Sequence, residues 1–250
     1  MKAVIGLELS RALRNPALWL IATLLQCTFA WYSLSSLEAY LDLQPRLALN
    51  PDAPGLSTWL LGRYTLPATF ACMLAIPILC MQKFAGDRQT GALSCLLMAP
   101  LSSLTVAAGK LAAVACLVGG VSALSALNVI VLFSVAPIDL GAILYAHACQ
   151  WLYLVACAGI GLACSALCRS PQAAAFCTAS VLMLLWLMGQ GGTTLAGDWV
   201  AQLAISTHLS RALAGVLHTG DLAFFAAVIA VSIAVVTRAL ENARLFGDRA

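Results

Sequence analysis

Residues 84–110 read FAGDRQTGALSCLLMAPLSSLTVAAGK. The stretch is a polar hairpin between two long apolar runs. Residues 66–81 before it (LPATFACMLAIPILCM) carry no charge, and neither do residues 111–138 after it. A lone charge in hydrocarbon costs about 3 kcal/mol or more. Lys83, Asp87, Arg88 and Lys110 are therefore expected in water, on a surface between two membrane spans that a partner on the cytoplasmic side can grip.

The composition agrees with a membrane setting. The chain has 250 residues, 62% hydrophobic and 9% charged, with a mean hydropathy of +0.95. A soluble domain carries about 25% charged residues. The apolar runs are continuous and rich in Ala and Leu, without the alternation of a transmembrane barrel strand, so helices are expected. The fold class is all-α: a polytopic membrane protein with six transmembrane helices, an amphipathic N-terminal interfacial helix and a cytoplasmic coupling hairpin between spans two and three.

Working outward, residues 1–15 (MKAVIGLELSRALRN) predict an interfacial helix. Val4, Ile5, Leu9 and Ala12 recur at helical spacing, with Lys2, Glu8, Arg11 and Arg14 elsewhere. Glu8 and Arg11 are spaced for an i,i+3 pair. Asn15-Pro16 ends the helix and turns the chain into the membrane; no cleavable leader is expected. The spans are predicted at 17–37, 63–82, 106–134, 141–168, 172–189 and 221–240, all in one transmembrane domain, 1–250. Trp19 and Trp31-Tyr32 mark the two interfaces of the first span. Residues 38–62 read as a short external loop, and Pro67 and Pro77 as kinks in span two. The coupling hairpin is 84–104, Val135–Asp139 and Arg169–Pro171 are tight turns, and 190–219 is a second external stretch.

Six spans place both ends on one side. That side holds Lys2, Arg11, Arg14, Lys83, Arg88, Lys110, Arg169, Arg238, Arg244 and Arg249, against Arg46, Arg63 and Arg211 on the other. Ten basic residues against three predict cytoplasmic termini. The ten cysteines lie mostly inside apolar runs, where a thiol acts as a small hydrophobe. Cys164 and Cys168 share a helical face, but no His or carboxylate stands near them, so no metal site is assigned. His147 is the one histidine inside a span, read as a hydrogen-bonded structural group, and Asn128, Gln150 and Gln190 as interhelical glue. No Gly-x-x-x-x-Gly-Lys-Ser/Thr, Gly-x-Ser-x-Gly or His-Glu-x-x-His occurs. No catalytic residue is assigned, and any energised work needs an engine in another chain.

The layout and motifs resemble the membrane subunits of type-2 ABC exporters over nearly the whole chain. The resemblance rests on Arg14-Asn15-Pro16-Ala17 before a Trp-containing first span; on Asp87-Arg88, Gly91-Ala92-Leu93, Leu96-Leu97, Pro100 and Gly109-Lys110 in the hairpin; and on Ser206-Thr207-His208, Gly215-Val216 and Asp221 before Phe224-Phe225. Ala92 and Ser94 stand where the family usually has Thr and Glu. The subgroup it looks most like includes gliding-motility permeases and the permease of nitrous-oxide-reductase maturation.

The resemblance implies an inner-membrane permease that holds no cofactor of its own. Two ABC ATPase subunits would bind the ATP and Mg, and a second copy of the chain or a related permease would complete the path. A periplasmic partner is a further implied contact; nucleic acid is not. The ATPase would be met by Asp87, Arg88 and Gln89 on a polar outer face, with Gly91, Leu93, Leu96 and Leu97 packing beneath, and by Glu8 and Arg11 of the first helix. His208, Arg211, His218 and Asp221 would serve an external gate or partner contact. The function implied is coupling of ATP hydrolysis in the partner to export, or to force on an external partner. The competing reading is a secondary transporter driven by an ion gradient, which usually carries charges near the midplane and internal repeats. A membrane scaffold or enzyme is a third, without a visible site.

Overall fold

The computed structural model describes residues 1–47, 56–131, 139–190, 204–213 and 218–246. Asp52, the turn residues 135–138, Gly191, Gly192, Asp198, Gly215, Val216, Asp248 and Arg249 lie outside the described residues, as does much of the 190–219 stretch. Within them the chain is helical throughout, with no strand. The helices are α1 (Lys2–Leu13), α2 (Pro16–Leu47), α3 (Leu56–Met81), the single turn α4 (Asp87–Gln89), α5 (Ala92–Met98), α6 (Ser103–Val131), α7 (Leu140–Leu167), α8 (Pro171–Gln190), α9 (Ile205–Leu213) and α10 (Thr219–Phe246). Six of them, α2, α3, α6, α7, α8 and α10, are long and apolar enough to cross a membrane. The protein is a polytopic all-α membrane protein.

Several helices outrun the predicted spans. α2 continues to Leu47 through Glu38 and Asp42, where a loop is expected, and α10 runs on to Phe246. Hydropathy marks where a helix leaves hydrocarbon and not where its hydrogen bonding stops. At 1.5 Å per residue α2 is about 48 Å long, against a hydrocarbon core of about 30 Å. Pro45 lies in its last turn, where it removes one backbone donor and the helix ends two residues later. α3 runs through both Pro67 and Pro77 as one helix.

α7 is the central post. It packs against α3, α6, α8, α9 and α10, and 72% of its most apolar window is buried, against 17% for α2 and α10. Apolar side chains gain little by leaving lipid for one another, so close backbone approach and polar contacts must hold the helices. α7 supplies both. A Cβ on Gly161 would stand 3.0 Å from Cys80 of α3 and 3.2 Å from Thr178 of α8, and one on Gly159 would stand 3.1 Å from Ser232 of α10. Tyr153 fills the middle, edge-on to Trp186 and Phe225, with its hydroxyl on the Met73 sulfur at 3.3 Å.

His147 is hydrogen-bonded, and Asn128 and Gln150 make contacts between helices, as the sequence predicts; the Gln190 side chain lies outside the described ones. His147 Nδ1 donates to the Ile143 carbonyl at 2.9 Å, which leaves Nε2 to face the Ser125 hydroxyl at 3.5 Å. The Tyr64 hydroxyl reaches the Ser125 carbonyl at 2.8 Å, joining α3 to α6. Ser122 of α6 donates to the Gln150 side chain at 3.3 Å. The Gln26 and Asn128 amides pair at 3.3 Å between α2 and α6.

Candidate functional site

The end of the bundle that carries the N-terminal helix, the 84–104 hairpin and the end of α10 is called the terminal end here; Arg244 of α10 donates to the Leu101 carbonyl at 2.6 Å. The hairpin is built from three backbone irregularities. α3 does not stop at Met81 but widens into a π turn, Gln82–Gly86. The wider turn turns the Phe84 and Ala85 amides toward α7, where the Ser165 hydroxyl accepts both at 3.2 Å and donates to the Met81 carbonyl at 3.2 Å. One hydroxyl thus fills one donor and two acceptor roles, its full capacity. α4 follows as one turn, and Gly91 reverses the chain with φ +74°, a left-handed conformation that a Cβ would penalise. α5 then lies against the bundle through Leu93, fully buried, with Leu96 and Leu97 half-buried beside it.

The charges do not lie where the sequence puts them. Lys83 and Lys110 are expected in water, yet Lys110 is 0% and Lys83 8% exposed. Lys110 Nζ donates to Glu8 Oε1 at 2.7 Å, to the Lys83 carbonyl at 2.5 Å and to Asp87 Oδ2. Those are all three of its N–H bonds. Its Nζ also sits 4.9 Å from the centre of the Phe84 ring. Lys83 Nζ takes the other Glu8 oxygen at 2.8 Å, and Arg11 reaches Asp87 at 3.4 Å. Glu8 therefore does not pair with Arg11, its neighbour on the helix. It turns the opposite way, into the protein, beside Val4. A Cβ on Gly109 would stand 3.0 Å from Val4 Cγ1, so the small residue before Lys110 lets α1 approach α6 closely enough for the pairs to close. Burial alone would raise the Glu8 carboxyl above its ordinary value of 4.5; the Lys110 and Lys83 ammoniums outweigh that and hold it lower, so it stays ionised.

Arg88 also turns inward. Its guanidinium donates to the carbonyls of Cys168 at 2.9 Å and Ala166 at 3.3 Å, capping α7. The outer face expected for Asp87, Arg88 and Gln89 keeps only Gln89 as an exposed side chain; Asp87 and Arg88 are half-buried. The exposed residues of the hairpin are Gln89, Thr90, Gly91, Ser94, Cys95, Met98, Pro100, Ser102 and Leu104, with Met98 85% exposed. An apolar Met at the end of a short helix that buries Leu93 is the one sequence signal for this face, and composition alone does not separate it from core.

A second cluster stands at the opposite end. α9 carries His208 and Arg211, and Asp221 lies in the first turn of α10. Asp221 is 1% exposed. It accepts from His208 Nδ1 at 2.5 Å and from the His218 backbone amide at 3.3 Å, and lies 3.5 Å from Arg211. His208 stacks on Phe224 at 4.0 Å. Three of the four residues expected here meet through side chains. The fourth, His218, contributes its backbone while its side chain is exposed. Among the described residues no group of three or more His, Cys, Asp or Glu side chains is placed to hold a metal ion. Cys164 and Cys168, at the end of α7, are part of no such group.

Six helices long and apolar enough to cross a membrane, with a hairpin locked to an N-terminal helix, define a polytopic membrane protein. The family model described as ABC-2 family transporter protein matches residues 2–239. The chain belongs to this family, whose members are the membrane components of ABC transporters and associate with an ABC ATPase. No curated protein matches the chain.

Proposed function

We propose that the chain is the permease subunit of an exporter in a bacterial inner membrane, with both termini cytoplasmic and two copies, or one copy and a related permease, forming the path. Two ATPase subunits bind ATP and Mg and grip the terminal end. The observation that carries this is the buried charge cluster. It ties three separate elements, α1 through Glu8, the hairpin through Lys83 and Asp87, and α6 through Lys110, into one body. A push on the hairpin then moves α6 and α1 together, because parting them would strand ionised groups away from water. The gripping surface is Gln89, Ser94 and Met98, with Leu93, Leu96 and Leu97 as the packed underside and Asp87, Arg88, Glu8 and Arg11 acting beneath it as the linkage. The subgroup of gliding-motility and nitrous-oxide-reductase-maturation permeases remains the best match to the sequence motifs. The uncharged path suits a lipid-like, amphipathic or peptide cargo, or the device delivers force to a periplasmic partner at the His208–Asp221 cluster.

Among the described residues, the middle turns of the six long helices hold no carboxylate, which favours this reading over an ion-driven carrier. The test is co-purification with the candidate ATPase and ATPase activity of the complex, using Gln89→Glu/Met98→Glu on the exposed face. The pair should release or uncouple the ATPase while leaving the thermal midpoint of the permease unchanged. Full retention and full coupling with both substitutions would place the contact elsewhere.

A further inference from the structure

Three clefts lie in series along one side of the protein. The first, about 200 Å³, opens at the terminal end beside Arg11, Asn15 and Lys83. The second, about 340 Å³, shares Asn15 and Lys83 with the first and reaches down to Ile21 and Ile78. The third, about 450 Å³, begins at the same Ile21 and Ile78 and continues between α2 and α3 to Tyr32 and Pro67. The upper part is lined by Arg11 and Lys83, by the Glu8 and Asp87 carboxylates paired with them, and by Asn15 and Gln82; the lower part is lined by Leu25, Phe70, Leu74 and other apolar groups. Small side chains, Thr28 of α2 and Ala71 and Ala75 of α3, leave the lower gap.

The upper part is a built polar site. The Lys83 side chain is 9% exposed and uses one N–H bond, to Glu8 at 2.8 Å. Its two other donors face no acceptor among the described residues, and a buried ammonium needs them matched. Arg11 stands across the cleft, half exposed, with Asp87 at 3.4 Å as its partner among the described residues. The four charged residues that line the cleft, Glu8, Asp87, Arg11 and Lys83, cancel formally, and Lys110, buried behind them, brings the whole cluster to +1. The elbow between α1 and α2 is stiff, with Trp19 donating to the Leu13 carbonyl at 2.8 Å and Asn15 accepting from the Ala17 amide at 3.0 Å.

We propose that this groove binds an anionic glycerophospholipid from the leaflet at the terminal end. Its phosphate sits between Lys83 and Arg11 and one acyl chain lies between α2 and α3. The dimensions match: Ile21 to Tyr32 rises about 16 Å along α2, close to the roughly 15 Å half-thickness of the hydrocarbon core. The order matches as well, with charge at the membrane surface and an apolar slot beneath it. The proposal concerns this chain alone and does not depend on the ATPase reading.

The experiment is native mass spectrometry of the delipidated full chain in detergent, with added palmitoyl-oleoyl-phosphatidylglycerol or the corresponding phosphatidylcholine. Wild type should retain one phosphatidylglycerol about fivefold more strongly than phosphatidylcholine. Arg11→Gln should remove that preference, since a basic residue at an anionic surface contributes about that factor. Ala71→Trp, or Thr28→Trp if the first fails to fold, should abolish retention of both lipids while the circular dichroism stays helical. Soluble glycerol 3-phosphate should not compete. Equal retention of the two lipids, a preference that survives Arg11→Gln, retention that survives filling the slot, or displacement by glycerol 3-phosphate would each overturn the proposal.

Discussion

Replacing Lys110 by Met tests the linkage at its hub. The methionine keeps most of the length and apolar contact of the lysine stem but removes the ammonium that meets Glu8 at 2.7 Å, Asp87 and the Lys83 carbonyl. Losing one partner of a buried ion pair costs about 3–5 kcal/mol, because the other charge is left unmatched in a low-dielectric site. Here the lower end of that range applies. Glu8 keeps Lys83 at 2.8 Å, and Asp87 keeps Arg11 at 3.4 Å and some access to water. A loss of about 3 kcal/mol in a chain of this size lowers the thermal midpoint by about 6–12 °C. The assay is thermal unfolding in detergent micelles, followed by circular dichroism, for Lys110→Met, Glu8→Gln and the double variant. Because the two groups touch, the double variant should lose less than the sum of the singles, with a coupling of about 2 kcal/mol. The same Lys110→Met protein, if it assembles with the ATPase, should hydrolyse ATP without moving α6. A midpoint shift under about 1 °C with additive single effects would show that the buried pairs carry no mechanical connection, and the linkage argument would fail.

Three further outcomes follow from the same geometry. Glu8 is ionised more readily in the folded state than unfolded, so its contribution is fully present above about pH 4.5 and is lost as pH falls through its lower folded value; unfolding midpoints measured from pH 6 downward should fall more steeply for wild type than for Glu8→Gln. Ser165→Ala leaves the Phe84 and Ala85 amides without their acceptor and should cost about 2 kcal/mol, seen as faster hydrogen exchange at those two amides than in the rest of α3. Asp221→Asn removes the carboxylate shared by His208, Arg211 and the His218 amide; a loss of about 2 kcal/mol should loosen α9 and speed exchange across residues 205–213 while the terminal end is unchanged.

The all-α class, the number of long apolar helices and the hydrogen-bonded state of His147 were legible in the sequence, because each depends on local composition or spacing. The helix lengths were less so: Glu38 and Asp42 look like loop, but a helix persists in water beyond the hydrocarbon. The direction of the charges was not legible at all. Glu8 and Arg11 are spaced to pair along one helix, and Asp87-Arg88 looks like a solvated face. Whether a charge points out or in depends on what lies across from it, and the partners of Glu8, at Lys83 and Lys110, are far away in sequence.

What the sequence by itself determined is the class of molecule: a nearly uncharged chain with long apolar runs has to form helices that satisfy their own backbone in lipid. The remaining polar segment has to sit at a membrane surface. What only the tertiary structure decided is the use of the few charges left. Packing α1 onto Gly109 brings four ionised side chains from three elements within reach of one another, with Arg11 at their edge. The π turn after α3 aims two amides at one serine of α7. Arg88 caps a helix 80 residues away. These arrangements are pairings across space, set by close backbone approach, and no local run of residues encodes them.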